Sequence, residues 1–121
     1  MNNIEFFKQQ AKNFYKDYKT KFINENGYYD YKPNYFQDIY ELLYDWKIDE
    51  NNFFLMKAQH IIAQLVGYKN WSNLINSSDA KLEIAKSLLE HRNDSINGFP
   101  FIESWIDYER KNLKNLMMSQ N

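Results

Sequence analysis

AQHIIAQLVGYKNWSNL, residues 58–74, is the stretch that decides the fold class of this chain. Apolar residues recur at every third or fourth position in its first half, which is the spacing of a helix that buries a broad face. Gly67 ends this run, and glycine is the residue that most easily terminates a helix in the left-handed conformation. Asn70 then stands where a side-chain cap is needed. The stretch therefore predicts a buried helix, a tight turn and a second, short helix.

The helical pattern continues on the N-terminal side of this stretch. Its spacing predicts one helix from Asn3 to about Phe22, a second that begins at Pro33 and Asn34 and ends near Lys47, and a third that begins around residue 53. The side chains expected to be buried in the second and third helices are Phe36, Ile39, Tyr40, Leu43, Trp46, Phe54, Leu55, Ala58, Ile61, Ile62, Leu65 and Val66.

The same reasoning predicts two further helices on the C-terminal side. Ser77 or Ser78 is expected to cap one of them, with Leu82, Ala85, Leu88 and Leu89 on its apolar face. Pro100 at a first-turn position is expected to begin the final helix after the break at Asn97 and Gly98. The apolar side of that final helix would carry Ile102, Trp105, Ile106, Leu113, Leu116 and Met117.

One non-helical element is expected between the first two helices. Asn26 and Gly27 form a turn signal between short aromatic or β-branched runs, which predicts a short β-hairpin near residues 20–31. The chain has only three Gly and two Pro in 121 residues, which argues against a protein built from many tight turns. We therefore predict a mostly α fold, a single compact bundle of five or six helices with one short hairpin, and one domain over residues 1–121.

Composition limits the class of protein. The chain has no cysteine, which excludes disulfides, thiolate metal sites and cysteine nucleophiles. Its first residues lack the basic start and apolar run of a secretory signal, and no apolar run approaches the roughly 18 residues of a membrane span. We therefore expect a cytoplasmic protein without a membrane partner. A formal net charge of −1 provides no overall field to attract nucleic acid.

The sequence shows no pattern of a catalytic, metal or cofactor site. His60 and His91 fall on separate predicted helices, and neither has a ligand partner at helical spacing. The three glycines are far apart, so no glycine-rich phosphate loop exists. We therefore expect no cofactor, no metal and no enzymatic activity.

Residues 58–74 also carry a resemblance to a known family. Their pattern, Ala-x-x-x-Ile-Ala-x-x-x-Gly-Tyr-x-x-Trp-x-x-Leu, resembles the small helical module of uncharacterised bacterial proteins that are labelled glyoxalase-related. The resemblance extends over about residues 4–92 and implies a helical fold. It does not imply glyoxalase activity, because that label would require metal-binding His and Glu residues on a βαβββ scaffold, and this chain lacks that pattern. The matched residues are Ala58, Ile62, Ala63, Gly67, Tyr68, Trp71 and Leu74.

A cluster of tyrosines is the sequence feature on which the leading functional hypothesis depends. Several tyrosines lie close together between residues 28 and 44, next to residues 34–56, which hold five acids and one lysine. Tyrosine is enriched at interface anchors, so this region predicts a surface for a basic protein partner, as in a regulator or an immunity- or inhibitor-type protein. The alternative is that these tyrosines only cover a small core. The residues expected to bind the partner are Tyr28, Tyr29, Tyr31, Tyr35, Asp45, Asp49 and Glu50.

Nucleic-acid binding is the competing hypothesis. Residues 58–74 have the cadence of a helix–turn–helix, although the second element offers Trp71, Leu74 and Ile75 instead of base-reading side chains. A strip of lysines on the first helix could face phosphates. These lysines are Lys8, Lys12, Lys16 and Lys19. The sequence does not identify the protein partner or the oligomeric state.

Overall fold

A computed structural model describes residues 2–96 and 99–100 of the chain. Within these residues the helices are α1 (Asn3–Tyr18), α2 (Ile39–Asp45), α3 (Leu55–Leu65), α4 (Trp71–Ile75) and α5 (Asp79–Glu90). The strands are β1 (Phe22–Ile23), β2 (Tyr29–Asp30), β3 (Ser95–Ile96) and β4 (Phe99–Pro100). The predicted mostly helical fold and its hairpin are confirmed. The chain divides into two units after Ile62, within α3. Whether residues 1–121 form one domain stays a prediction.

In the first unit, α1 is built on a capped start and a regular apolar face. Asn2 Oδ1 accepts a hydrogen bond from the Glu5 backbone N at 2.8 Å, which satisfies one of the free donors of the first turn. Phe7, Ala11 and Phe14 follow at helical spacing and are fully buried. This face anchors the helix to the core of its unit.

The predicted end of the first helix at Phe22 is wrong, because α1 ends at Tyr18. The Thr20 and Lys21 backbone N atoms bond to residues three positions earlier, which tightens the chain and stops the helical ladder. The Thr20 hydroxyl donates to the Asp17 carbonyl at 2.6 Å and accepts from the Lys32 backbone N at 2.8 Å. The helix therefore ends before Phe22, which lies in β1 instead.

The predicted hairpin is confirmed as β1 and β2. Phe22 pairs with Asp30 and Ile23 with Tyr29 in antiparallel register. Asn24 Oδ1 accepts from the backbone N atoms of residues 26 and 28, and Gly27 adopts a φ of +84°, which L side chains rarely reach. The residue types at this turn were therefore enough to predict the hairpin.

The second helix begins later than predicted, at Ile39 instead of Pro33 and Asn34. The backbone N–H groups of residues 34–36 bond to the Asp17 carboxylate of α1, so this stretch is a loop held from outside. The buried face of α2 is Ile39, Leu42 and Leu43. Tyr40 was expected in the buried stripe, but it follows Ile39 by about 100° around the helix and is 47% exposed.

The end of α2 carries an unusual backbone conformation. Lys47 has a φ of +50°. The Ile48 N–H bonds to the Leu43 carbonyl at 3.0 Å and the Lys47 N–H to the Tyr44 carbonyl at 3.2 Å, which is the usual pattern of a helix that ends in a left-handed residue. Glycine normally occupies that position, since a side chain there costs on the order of 1 kcal/mol.

At the start of α3 it is Phe53, and not the predicted Phe54, that is buried. Phe54 was expected in the core and is 42% exposed, whereas Phe53 is buried. The Phe53 ring lies 4.8 Å from that of Tyr18 and 5.5 Å from that of Phe14. The helix begins at Leu55, two residues after the predicted start. Phe53 therefore belongs to the preceding loop, and its packing on α1 excludes Phe54 from the same space.

The second unit follows the sequence closely. Gly67 has a φ of +89°, and the Tyr68 N–H bonds to the Ala63 carbonyl at 3.0 Å, so the predicted stop of α3 is confirmed. Asn70 caps α4 through the Asn73 backbone N, and Ser78 caps α5. Of α4, Leu74 is fully buried and Trp71 partly buried. The α5 residues predicted to be buried, Leu82, Ala85, Leu88 and Leu89, are all buried.

The prediction that Pro100 begins a helix is wrong. Pro100 lies in β4 and pairs with Ser95 of β3 in an antiparallel ribbon. Proline is tolerated in such an edge strand because its missing N–H need not face a partner. The rest of the predicted final helix, which includes Ile102, Trp105, Ile106, Leu113, Leu116 and Met117, lies outside the described residues, as do Asn97 and Gly98.

Candidate functional site

The residues that the sequence assigned to partner binding differ in their exposure. Tyr28 is 72% exposed, and Tyr29 and Tyr35 are also exposed, whereas Tyr31 is only 5% exposed. Asp45 and Asp49 are exposed and Glu50 is partly buried. Tyr31 therefore belongs to the core of the first unit, and the others present side-chain surface to solvent.

A cleft of about 600 Å³ in the first unit brings several of these residues together. Tyr29, Tyr31, Asp45 and Glu50 line it, while Tyr28, Tyr35 and Asp49 do not. The cleft is also lined by four residues that the sequence analysis did not place among the binding residues. These are Tyr40, Leu43, Tyr44 and Lys47. We call this cavity the tyrosine cleft.

Glu50 is the most constrained side chain of the tyrosine cleft. The buried Tyr31 hydroxyl donates a hydrogen bond to Glu50 Oε2. The backbone carbonyl of Glu50 accepts from the Tyr18 hydroxyl at 2.6 Å and from Lys21 Nζ at 2.5 Å. Tyr31 thus holds the carboxylate, and Tyr18 and Lys21 hold the backbone of the same residue, so Glu50 is pre-organised before any ligand arrives.

Lys21 places a cation on the aromatic rings of the same region. Its Nζ lies 4.4 Å from the ring centroid of Tyr29 and 5.0 Å from that of Tyr18. Ammonium groups at such distances are attracted by the negative face of the ring. The cluster around Glu50 therefore already stabilises one positive charge within the protein.

A second hydrogen-bonded pair fixes Tyr40, another residue that lines the cleft. The Tyr40 hydroxyl donates to Asp30 Oδ1, and the Tyr31 backbone N donates to the same atom at 2.9 Å. The bond from Tyr40, followed by the bond from the Tyr31 backbone, lowers the pKa of the Asp30 carboxyl, and the same pair raises the pKa of the Tyr40 hydroxyl. Asp30 therefore stays ionised and Tyr40 stays a donor near neutral pH.

Tyr31 is expected to make the stability of the protein sensitive to alkaline pH. Burial first, and the bond to Glu50 second, raise the pKa of the Tyr31 hydroxyl above its ordinary value near 10. Unfolded chains lose this proton above about pH 10 while the folded protein keeps it, so its contribution to stability falls as the pH rises above that value.

Tyr31→Phe tests this relation. We expect the variant to be less stable than the wild type by about 1 kcal/mol at pH 7, because it loses a hydrogen bond to a partly solvated carboxylate. The difference should shrink between pH 9 and pH 11, since phenylalanine has no proton to lose. Urea unfolding at several pH values measures both stabilities, and a difference that stays constant up to pH 11 would contradict the expectation.

The sequence contained a signal that Tyr40 and Tyr44 share one side of a helix, although neither was predicted to bind the partner. Tyr40 and Tyr44 are four residues apart, so they lie on one side of α2, next to the buried face. The assumed earlier start of the helix placed Tyr40 in the core instead. Lys47 had no such signal, because its position at the cleft depends on the left-handed end of α2.

The two histidines occupy different surroundings. His60 is exposed and lines a second cleft of about 490 Å³, together with Asp49, Phe54 and Met56. His91 Nδ1 lies 2.9 Å from Asp94 Oδ2 at the end of α5. Among residues 2–96 and 99–100, no group of three or more His, Asp or Glu side chains is arranged to hold a metal ion. In this part of the chain, no helix has the length and apolar character needed to cross a membrane.

Comparison of the chain with protein-family models, with curated proteins and with solved structures gives no match. The resemblance of residues 58–74 to the glyoxalase-related helical module stays a prediction.

Proposed function

We propose that this protein is a non-enzymatic interaction module that binds a basic protein partner through the tyrosines of its hairpin and of α2. We call Tyr28, Tyr29, Tyr40 and Tyr44 the tyrosine surface. The observation that carries the proposal is their exposure, since Tyr44 is 85% exposed and Tyr28 72%. A solvent-facing group of large aromatic side chains is typical of interaction sites.

Charge supports a basic partner. The segment from residue 34 to residue 56 holds five acids and one lysine, in a chain whose net charge is only −1. Asp45 and Glu50 lie among the tyrosines of the cleft. An acidic surface attracts a basic protein over a distance of about one Debye length and aligns it before contact. A regulator or inhibitor that covers a basic functional site on another protein would have these properties.

The tyrosine surface is also partly rigid before binding. The Tyr29 hydroxyl donates to Asn51 Oδ1 at 2.5 Å, and the Tyr40 hydroxyl donates to Asp30. Side chains that are already ordered lose little conformational entropy in a complex, so more of the contact energy contributes to affinity. Tyr28 and Tyr44 are the most exposed of these four rings, and they are therefore the residues to substitute.

Affinity capture from the native host, after nuclease treatment, tests the proposal. We expect wild-type protein to retain a basic protein partner and the double variant Tyr28→Ser, Tyr44→Ser to lose most of it, because interface anchors can each contribute more than about 2 kcal/mol. Both substitutions are at exposed positions, so the melting temperature should change little.

Met56→Gln is the matched control, since Met56 is an exposed large side chain outside the tyrosine surface. Equal capture by the wild type, the control and the double variant would overturn the proposal. Loss of capture by the double variant alone, with unchanged thermal stability, would support it.

Nucleic-acid binding is the second candidate function, favoured by the exposure of Lys8, Lys12, Lys16 and Lys19 on α1. Lys8 Nζ lies 3.7 Å from Glu5 Oε1, which offsets part of that charge. The helix after the Gly67 turn, α4, has only five residues. If the lysines bind phosphates, affinity for duplex DNA should fall steeply with salt, and replacing Lys12 and Lys16 by Gln should lower both the affinity and the salt slope.

A further inference from the structure

We propose that the tyrosine cleft binds an arginine side chain that the partner protein presents. This inference rests on the proposed function, because it names the group of a basic partner that the surface would recognise. Three properties of the cleft carry the inference: its aromatic walls, its fixed carboxylate and its size.

The walls of the cleft are largely aromatic. Tyr29, Tyr31, Tyr40 and Tyr44 line it together with a single aliphatic residue, Leu43. The face of an aromatic ring attracts a positive group, and arginine is the cation found most often in such contacts because its planar guanidinium can also stack. Four tyrosine side chains around one cavity therefore favour a planar cation over a neutral or negative ligand.

The carboxylates supply the matching charge. Glu50 Oε2 accepts the Tyr31 hydroxyl, so the group is fixed in orientation. A carboxylate has room for several hydrogen bonds, which leaves acceptor capacity for a guanidinium. Asp45 is exposed at the end of α2 and lines the same cleft. The fork of N–H donors on arginine fits carboxylate geometry better than the single ammonium of lysine does.

The protein itself shows that this region holds a cation. Lys21 Nζ lies over the rings of Tyr18 and Tyr29 and donates to the carbonyl of Glu50. The same two kinds of contact, to an aromatic ring and to a fixed oxygen, are available to a ligand within the cleft. Lys21 is not among the residues that line the cleft, so it does not fill the cavity.

The cleft is large enough for one arginine side chain and part of the chain on either side of it. A volume of about 600 Å³ is larger than one arginine side chain needs and lies within the range of cavities that hold small ligands. An arginine in an extended basic segment, with part of the flanking chain, would occupy it.

Lys47 opposes such a ligand. It lines the cleft with a positive charge and is held in a left-handed backbone conformation that glycine would adopt more easily. Its removal should therefore strengthen binding of a cation without weakening the fold. Lys47→Gly thus provides a variant whose expected effect is a gain.

The test is an NMR titration of isotope-labelled full-length protein with Nα-acetyl-arginine amide. The same compound with citrulline serves as the neutral isostere, and the lysine derivative as the other cation. We expect saturable shifts of the amide signals of Tyr29, Tyr44 and Glu50 with the arginine compound, weaker binding of the lysine compound and none of the citrulline compound.

Two variants and a control complete the experiment. Glu50→Gln should weaken binding of the arginine compound roughly tenfold, and Lys47→Gly should strengthen it roughly threefold, which are the changes expected from a hydrogen-bonded charge and from a solvent-screened charge. Met56→Gln lies outside the tyrosine cleft and should bind as the wild type does.

The outcomes separate this inference from the proposed function. Equal shifts with arginine and citrulline, or equal affinity for arginine and lysine, would overturn the arginine site. So would an affinity that both cleft variants leave unchanged. If capture of a partner still depends on Tyr28 and Tyr44 in that case, the interaction surface stands without the arginine site. If the arginine compound binds but no partner is captured, the proposed function fails instead.

Discussion

The variant Asp17→Asn is expected to lose about 3 kcal/mol of the free energy of unfolding. Asp17 is fully buried on α1, and its carboxylate accepts three backbone N–H groups of the following loop. The distances are 2.9 Å from Asn34, 2.9 Å from Tyr35 and 2.6 Å from Phe36. An amide has only one acceptor oxygen and turns an NH₂ group towards donors, so at least one buried N–H loses its partner.

Chemical denaturation of Asp17→Asn, compared with the wild type, measures this loss. Glu83→Gln is the control, because it makes the same change of charge at an exposed position of α5 and should shift stability by less than about 0.5 kcal/mol. A loss for Asp17→Asn that is no larger than that of the control would mean that the carboxylate does not hold the loop.

The variant Ile62→Asp is expected to unfold the protein at room temperature. Ile62 is fully buried in α3, with Ala58 and Ala63 equally inaccessible beside it. Aspartate there would place an unpaired charge in an apolar site, and it would also remove the buried volume of the isoleucine. Together these effects cost more than about 4 kcal/mol, a large part of the total stability of a small domain.

Circular dichroism with a thermal melt checks the expectation for Ile62→Asp. Ile84→Asp makes the same substitution on α5 at a side chain that is exposed, and it should remain folded with a melting temperature close to the wild type. A cooperative melt of Ile62→Asp near the wild-type temperature would show that Ile62 does not lie in a packed apolar core.

The candidate site could be predicted only in part from the sequence. Nearness along the chain suggested one group of tyrosines and acids, but the cleft excludes Tyr28, Tyr35 and Asp49 and includes Tyr44 and Lys47. Neighbouring residues on a hairpin or in a loop point in different directions, whereas residues four apart on a helix share a side. Which of these residues line the cleft therefore depends on the rotation of α2 about its axis and on the register of the hairpin.

What the sequence by itself determined was local. The turn at Gly27, the helix stop at Gly67 and the caps at Asn70 and Ser78 all appear where their residue types predicted them. Each depends on a few neighbouring residues, since a backbone conformation or a side-chain cap is satisfied within about one turn of chain. The apolar face of α5 followed from its periodicity for the same reason.

What only the tertiary structure decided were the polar contacts between distant segments. Asp17 bonds to backbone groups up to 19 positions away, and Tyr31 bonds to Glu50, also 19 positions away. Pro33 and Asn34 have the local chemistry of a helix start, yet the buried carboxylate of Asp17 takes the N–H groups that follow and delays α2 to Ile39. A buried charge must find donors wherever the fold brings them, and periodicity along one segment carries no information about the donors that another segment will supply.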